Sequence, residues 1–149
     1  MRIAIRLFPA VLAFAVVVCA PTARGYTDPA PEQRSQGPVT YVVGGVGADE
    51  AEAMRQAEAW YPLTLELAAR SDDGRDEFIA DARVAIHDLH GQAILSTKVD
   101  GPLILIRLPS GSYDVEVDWN GTVKRRTVAI TSAKRQHIVF EFPREYAAP

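Results

Sequence analysis

The sequence predicts a mostly β protein, a seven-stranded antiparallel β-sandwich preceded by one short N-terminal amphipathic helix. Apolar and polar residues alternate in several short segments after residue 62, a period typical of strands with one buried face. Turn-forming residues separate these segments at intervals of about 8–12 residues, which is the spacing of a sandwich. A helical pattern precedes them, between residues 48 and 61.

Residues 1–25 have the pattern of a secretory signal peptide. Residues 1–6 are short and basic, and residues 7–20 are apolar apart from Pro9. Ala23 and Gly25 are small residues at the two positions that a signal peptidase recognises. The apolar run is shorter than the roughly 20 residues of a membrane-spanning helix. We therefore expect a periplasmic or secreted protein, with no transmembrane span in the mature chain.

Cys19 is the single cysteine of the chain and lies inside this leader. A lipoprotein signal needs a small residue before the lipidated cysteine, and Val18 at that position argues against lipidation. Cleavage after Gly25 leaves no thiol, so the fold depends on its core and not on disulfides.

Cleavage after Gly25 also leaves 13 basic residues against 19 acidic ones, a net charge of −6. That balance excludes nucleic-acid binding by general phosphate attraction and disfavours anionic lipid.

The mature chain divides into a linker, a domain and a tail. Residues 26–40 contain Pro29, Pro31 and Pro38 among polar residues, which predicts an extended linker without regular structure. We expect the domain at residues 41–142 and a flexible tail at residues 143–149.

The helix is predicted to begin at Asp49, which has Glu52 three residues later, the spacing of a capping box. Pro62 ends it, because proline disfavours the helical conformation in the residue before it. One apolar stripe, which we expect to pack on the rest of the protein, contains Ala53, Met54, Ala57, Trp60 and Tyr61.

Four segments with the strand period lie between the helix and the hairpin at residues 113–130. Residues 63–68 and residues 78–87 predict two half-buried strands on either side of a charged turn. The chain turns at residues 88–91 and returns over residues 92–97. Residues 103–108 are apolar on both faces, so we expect the helix to cover the face that the sandwich core does not. The residues predicted to share buried faces are Leu63, Leu65 and Leu67, and Ala82, Val84 and Ile86.

The clearest hairpin joins residues 113–119 to residues 122–130 through Asn120-Gly121, a strong turn signal. A strict two-residue loop would place Arg126 opposite Val115, so we expect a bulge in this pair. A last strand follows, with Ile138, Phe140 and Phe142 on one face.

One stretch resembles a known family. Ala82-x-Val84-x-Ile86-x-Asp88-x-x-Gly91 is followed by Asp100-Gly101-x-Leu103-x-Leu105-x-x-Leu108-Pro109-x-Gly111-x-Tyr113-x-Val115-x-Val117. This resembles the carboxypeptidase regulatory-like domain, a transthyretin-like seven-stranded sandwich. Tyr41–Glu50 adds a similarity to small exported proteobacterial proteins built on that module. The resemblance covers residues 41–142 and implies a fold alone, because the matching residues are core and turn positions.

Candidate catalytic and metal patterns are weak. His87 and His90 form an apparent metal pair, but zinc needs at least three protein ligands, and His137 lies on a distant strand. We interpret them as surface histidines, with a small metal-dependent hydrolase as an alternative. Three further patterns do not predict a site. The glycine run at residues 44–47 lacks the lysine of a phosphate loop. The spacing of four neighbouring acids does not match a calcium loop; they are Asp72, Asp73, Asp76 and Glu77. The mature chain has no cysteine, and none of its serines lies in a nucleophile-elbow context.

The acidic row Asp114, Glu116 and Asp118, with Trp119 at the hairpin tip, is the candidate binding surface. The alternative is that the acids pair across the hairpin with residues 124–126 and that Trp119 belongs to the core.

We predict an exported non-enzymatic module of the cell envelope that mediates protein or glycan interaction, without a cofactor. A structural envelope spacer that associates through an exposed sheet edge is the remaining alternative.

Overall fold

The computed structural model describes residues 32–70 and 76–143, with only the backbone of Asp76. Within these ranges the chain forms ten strands and one α-helix, which ends in a single 3-10 turn at Glu58–Trp60. The elements are β1 Gln33–Gln36, β2 Val39–Gly44, α1 Ala48–Ala57, β3 Leu63–Arg70, β4 Asp76–Phe78, β5 Ala82–His87, β6 Ala93–Val99, β7 Leu103–Arg107, β8 Gly111–Trp119, β9 Thr122–Ile130 and β10 Gln136–Pro143.

The strands form two sheets, which confirms the predicted sandwich. The first sheet has the order β1-β2-β7-β3-β10, with β4 paired to the end of β3 that β7 leaves free. The second sheet has the order β6-β5-β8-β9. The count of seven strands was too low, and the pairing is not antiparallel throughout, because β10 runs parallel to β3. Alternating apolar residues indicate the buried face of a strand but do not select its neighbour.

Two local features account for two of the three additional strands, and the third is β2, which begins inside the predicted linker. Asp81 adopts a left-handed backbone conformation with φ 61°, and this breaks the strand predicted over residues 78–87 into β4 and β5. Gln33–Gln36 pairs with β2 although it lies inside the predicted linker. Pro38 is compatible with this hairpin because it lies in the turn, where its missing N–H is not needed. The linker prediction is therefore wrong for residues 33–40.

The main core lies between the sheets and consists of the predicted alternating residues. Leu63, Leu65 and Leu67 are fully buried, as are the inward residues of β5. The most voluminous of the fully buried side chains are Phe140 and Phe142 of β10. Complete burial of such a side chain contributes roughly 1.5–3 kcal/mol to folding. The faces predicted from the sequence are thus confirmed in both sheets.

The helix covers the outer face of the first sheet, as predicted from the doubly apolar strand β7. Met54 and Tyr61 pack there on Val42, Leu103 and Leu105. The prediction that Trp60 joins this contact is wrong, because Trp60 is 75% exposed. A 3-10 turn advances about 120° per residue instead of 100°. The change of winding at Glu58 therefore rotates the Trp60 side chain off the apolar stripe.

The start of the helix differs from the predicted capping box. The helix begins at Ala48, and no side chain caps it from the preceding residue. Instead Glu50 Oε2 accepts a hydrogen bond from the backbone N–H of Val46 at 2.7 Å. This confirms a tight strand-to-helix turn at the glycine run, with a carboxylate where a phosphate loop would bind its anion.

Several expectations fall outside the described residues: the signal peptide at residues 1–25, the first part of the linker, and residues 144–149 of the tail. Among the helices of the described part, none is long and apolar enough to cross a membrane.

The β8–β9 hairpin has the strict two-residue turn, and the predicted bulge is absent from its register. Trp119 is opposite Thr122, and Val115 is opposite Arg126. Asn120 and Gly121 both have positive φ, 50° and 81°, as the turn requires. The hairpin tolerates a cation on its inner face because β9 is the last strand of its sheet.

Candidate functional site

The predicted acidic row lies on the outer face of the second sheet, and its members are bonded within the protein. Glu116 Oε2 pairs with Arg125 Nε at 2.6 Å. Asp114 Oδ1 accepts a hydrogen bond from the Thr127 hydroxyl at 2.6 Å. Asp118 Oδ1 accepts one from the backbone N–H of the turn glycine at 3.0 Å. Cross-strand pairing thus accounts for much of this row, although only one of the three expected cations takes part.

Trp119 lies on the opposite face of the sheet from these acids. Its ring contacts Phe142 edge-on, with the ring centroids 5.7 Å apart and an interplanar angle of 62°. It is partly buried against the main core. The structure therefore does not bring Trp119 together with Asp114, Glu116 and Asp118 into one surface.

The sandwich is open along one side, where β9 and β10 are the edge strands of the two sheets and do not pair with each other. A cleft of about 740 Å³ lies between them. We call it the edge cleft. It is lined by Lys124, Arg125, Arg126, Thr127, Val139, Phe140 and Glu141.

The opposite side of the sandwich is bridged by side chains. There the backbone N–H of Ser96 on β6 donates to Gln36 Oε1 at 3.1 Å. The hydroxyl of Tyr41 on β2 donates to that of Thr97 at 3.3 Å. These contacts join the two sheets at the edge formed by β1, β2 and β6.

Three consecutive cations of β9 line the edge cleft, and each has a different environment. Lys124 donates to the backbone carbonyl of Glu141, and its ammonium lies 5.4 Å from the Phe142 ring centroid. Arg125 points to the outer face and pairs with Glu116. The side chain of Arg126 is exposed and its guanidinium has neither a hydrogen bond nor an ion pair with any described residue.

The backbone of β9 also presents groups to the edge cleft. In an antiparallel pair, alternate residues direct both N–H and C=O to the neighbouring strand. The turn places Thr122, Lys124 and Arg126 in bonding positions towards β8. Val123, Arg125 and Thr127 therefore direct their N–H and C=O groups away from β8, into the cleft.

Two side-chain bridges bound the edge cleft. One is the contact of Lys124 with the carbonyl of Glu141 near the hairpin end. The other is a hydrogen bond from the Gln136 side-chain amide to the carbonyl of Ala129. Arg126 lies between the two bridges along β9. Sequence reasoning missed this site because the pairing of β10 with β3, which brings β10 beside β9, has no sequence signal.

The histidines are placed as follows. His87 ends β5, and the backbone N–H of His90 in the next turn donates to Asp88 Oδ1 at 2.8 Å. In residues 32–70 and 76–143, no group of three His, Cys, Asp or Glu residues is arranged to hold a metal ion. Two of the four acids of the candidate calcium loop, Asp72 and Asp73, fall in residues 71–75, outside the described ranges, and the other two belong to β4.

His137 has partners that the sequence did not indicate. Its Nε2 lies 2.7 Å from Glu66 Oε2, and its Nδ1 lies 3.6 Å from Glu58 Oε1. These groups line a groove of about 180 Å³ beside α1, together with the half-exposed ring of Phe78. Because the polar groups of this groove bind each other, they are less available to a ligand than Arg126.

Comparison with known proteins adds little. No family model and no curated protein matches the chain. Among the solved structures that match is a Pseudomonas aeruginosa protein for which carbohydrate binding has been suggested. It is 11% identical, the match covers 76% of this chain and 92% of that one, and the TM-score is 0.36. A similarity at this level supports no conclusion on function.

Proposed function

We propose that this chain is an exported, non-enzymatic β-sandwich module of the cell envelope that binds a protein or glycan partner at the edge cleft. The observation that supports the proposal is the position of Arg126. It is an exposed cation without a partner among the described residues, in a cleft of about 740 Å³ beside an unpaired strand edge. Concave sites with a few convergent polar groups are where proteins most often bind ligands.

The carboxypeptidase regulatory-like family is part of this proposal. The motif Leu108-Pro109-x-Gly111-x-Tyr113 forms one structural unit, because the Tyr113 hydroxyl donates to the carbonyl of Pro109 at 3.0 Å. A tyrosine that bonds backwards to the backbone is a recurring feature of β-sandwiches. The leader at residues 1–25 supports export, and cleavage after Gly25 would place the module in the periplasm or outside the cell.

The role of structural spacer is less well supported. A spacer that assembles through its sheet edge would need an edge that pairs with its own copies. Residues Lys124–Arg126 form a run of three cations on the β9 edge. Cations at an exposed edge oppose pairing between identical strands and attract a partner of opposite charge.

Site-directed photo-cross-linking in intact cells tests this proposal. A photoreactive residue replaces Thr127 in the edge cleft or, as a matched control, Ala93 on β6 at the other edge of the same sheet. Both positions are exposed. We expect an adduct from position 127, none from position 93, and loss of the adduct when Arg126→Glu is added.

Equal adducts at both positions, or an adduct that Arg126→Glu leaves unchanged, would contradict the assignment of the edge cleft. The same preparations test export. The protein recovered from the envelope fraction should begin at Tyr26 by mass spectrometry, and an intact N-terminus at Met1 would contradict processing.

A further inference from the structure

We propose that the edge cleft binds an extended acidic polypeptide segment, which adds to β9 as a fifth strand of the second sheet. Its carboxylates would lie at alternate positions, opposite Lys124 and Arg126. This inference rests on the proposed binding function and specifies the chemistry of the partner.

The first argument is the backbone of β9. Val123, Arg125 and Thr127 direct their N–H and C=O groups into the cleft, and no hydrogen bond between these groups and another described residue is present. The carbonyl of Ala129, the next group in this series, is occupied by Gln136. The free donors and acceptors thus recur with the period of a strand over residues 123–127. A peptide backbone matches that repeat, as it does in other cases of strand addition to a sheet edge.

The second argument is the charge on the inner face. A strand added to β9 has Lys124 and Arg126 as its cross-strand neighbours on that face, two residues apart. Carboxylates at positions i and i+2 of the segment would face these two cations. On the outer face the neighbours are Val123, Arg125 and Thr127, which favour β-branched residues at the intervening positions.

The third argument excludes two other occupants. Antiparallel pairing of two β9 edges around Arg125 would place Lys124 of one copy against Arg126 of the other, and like charges directly opposite are destabilising. An acidic glycan would contact Arg126 but has no donors and acceptors at the repeat of the β9 backbone. The free backbone groups and the cations together favour the polypeptide.

The test uses the processed protein and a synthetic probe, acetyl-Thr-Asp-Thr-Glu-Thr-Asp-Thr-amide. A control peptide of the same composition has its three acids contiguous, and polygalacturonate serves as an anionic glycan. Affinity is measured by titration calorimetry at low ionic strength. Protection of individual amides is measured by hydrogen exchange with NMR detection.

We expect the alternating peptide to bind at least tenfold more tightly than the contiguous one and to slow exchange at Val123, Arg125 and Thr127. Arg126→Glu should weaken binding at least tenfold. Arg83→Glu should change it less than twofold, because Arg83 is an exposed cation on β5 of the same sheet, outside the cleft lining.

The inference is overturned if the two peptides and polygalacturonate bind equally, or if binding leaves the three amides unprotected. In that case the edge cleft is an anion site without strand addition, and the proposed function stands provided that Arg126→Glu still abolishes the cross-link. Protection of the same amides at high protein concentration without peptide would identify a second copy as the occupant and would also overturn the inference.

Discussion

Arg126 lies directly opposite Val115 in the β8–β9 hairpin, although Val115 is fully buried and Arg126 is exposed. Both residues are on the inner face of the second sheet. The difference arises because β8 is an interior strand covered by the first sheet, whereas β9 is an edge strand beside a cleft. A long cationic side chain at such an edge keeps its stem near the core while its charge remains in water.

This relationship predicts that substitutions at the two positions change the free energy of unfolding by different amounts. Arg126→Val should change the free energy of unfolding by no more than about 0.5 kcal/mol, since Arg126 is exposed and unpartnered. Val115→Thr should lower it by about 1–3 kcal/mol, because it buries a hydroxyl in the apolar core. Urea denaturation of both variants measures this. A loss for Arg126→Val as large as that for Val115→Thr would contradict the open edge.

The packing of the helix predicts a contrast between Met54 and Trp60. Met54 is fully buried between α1 and the first sheet, and Met54→Ala should cost about 2–5 kcal/mol through lost contacts and a cavity. Trp60→Ala should stay within about 0.5 kcal/mol, because Trp60 is mostly exposed. Thermal unfolding of the two variants distinguishes them. A larger loss for Trp60→Ala would mean that its ring packs on the protein after all.

The hydrogen bond from the Tyr113 hydroxyl to the carbonyl of Pro109 predicts the effect of removing that hydroxyl. Tyr113→Phe should lower the free energy of unfolding by about 1 kcal/mol, the net contribution of one hydrogen bond. Tyr61→Phe is the matched control, since the Tyr61 hydroxyl is 3.4 Å from Gln33 Oε1, a longer and weaker contact. We expect the control to lose less in chemical denaturation. Equal losses would show that the bond to Pro109 has no special role.

The hairpin turn predicts the effect of a side chain at Gly121. Nothing lies within 4 Å of a Cβ built there, so the cost of Gly121→Ala arises from its positive φ alone. That cost is about 1–2 kcal/mol. Thr122→Ala serves as the control next to the turn and should cost less. A neutral Gly121→Ala would contradict the positive φ of residue 121 in this turn.

At Gly101 the cost of adding a side chain is expected to arise from a steric clash and not from the backbone conformation. A Cβ at Gly101 would lie 2.4 Å from the backbone carbonyl oxygen of Gly44, which cannot move without disturbing β2. Gly101→Ala should therefore destabilise the protein by about 1–3 kcal/mol, as overpacking does. Asp100→Ala, at an exposed neighbouring position, should be close to neutral. Comparable unfolding midpoints for the two variants would contradict the close approach of these backbones.

Much of the fold follows from local patterns in the sequence. Alternation along Tyr113, Val115 and Val117 specified which face of β8 is buried, and the Asn120-Gly121 turn specified the hairpin. The doubly apolar run in β7 specified a strand covered on both sides. These predictions succeeded because burial of a strand face and the φ values of a tight turn depend on residues near one another in the chain.

Only the tertiary structure decided which strands far apart in the chain became neighbours. The parallel pairing of β10 with β3 placed β10 beside β9 to form the edge cleft, and it placed His137 next to Glu66. Alternation has the same period whichever strand lies alongside, so a strand pattern does not encode its partner. Arg126 is one more cation in the sequence, and its position at an open edge results from contacts between residues far apart in the chain.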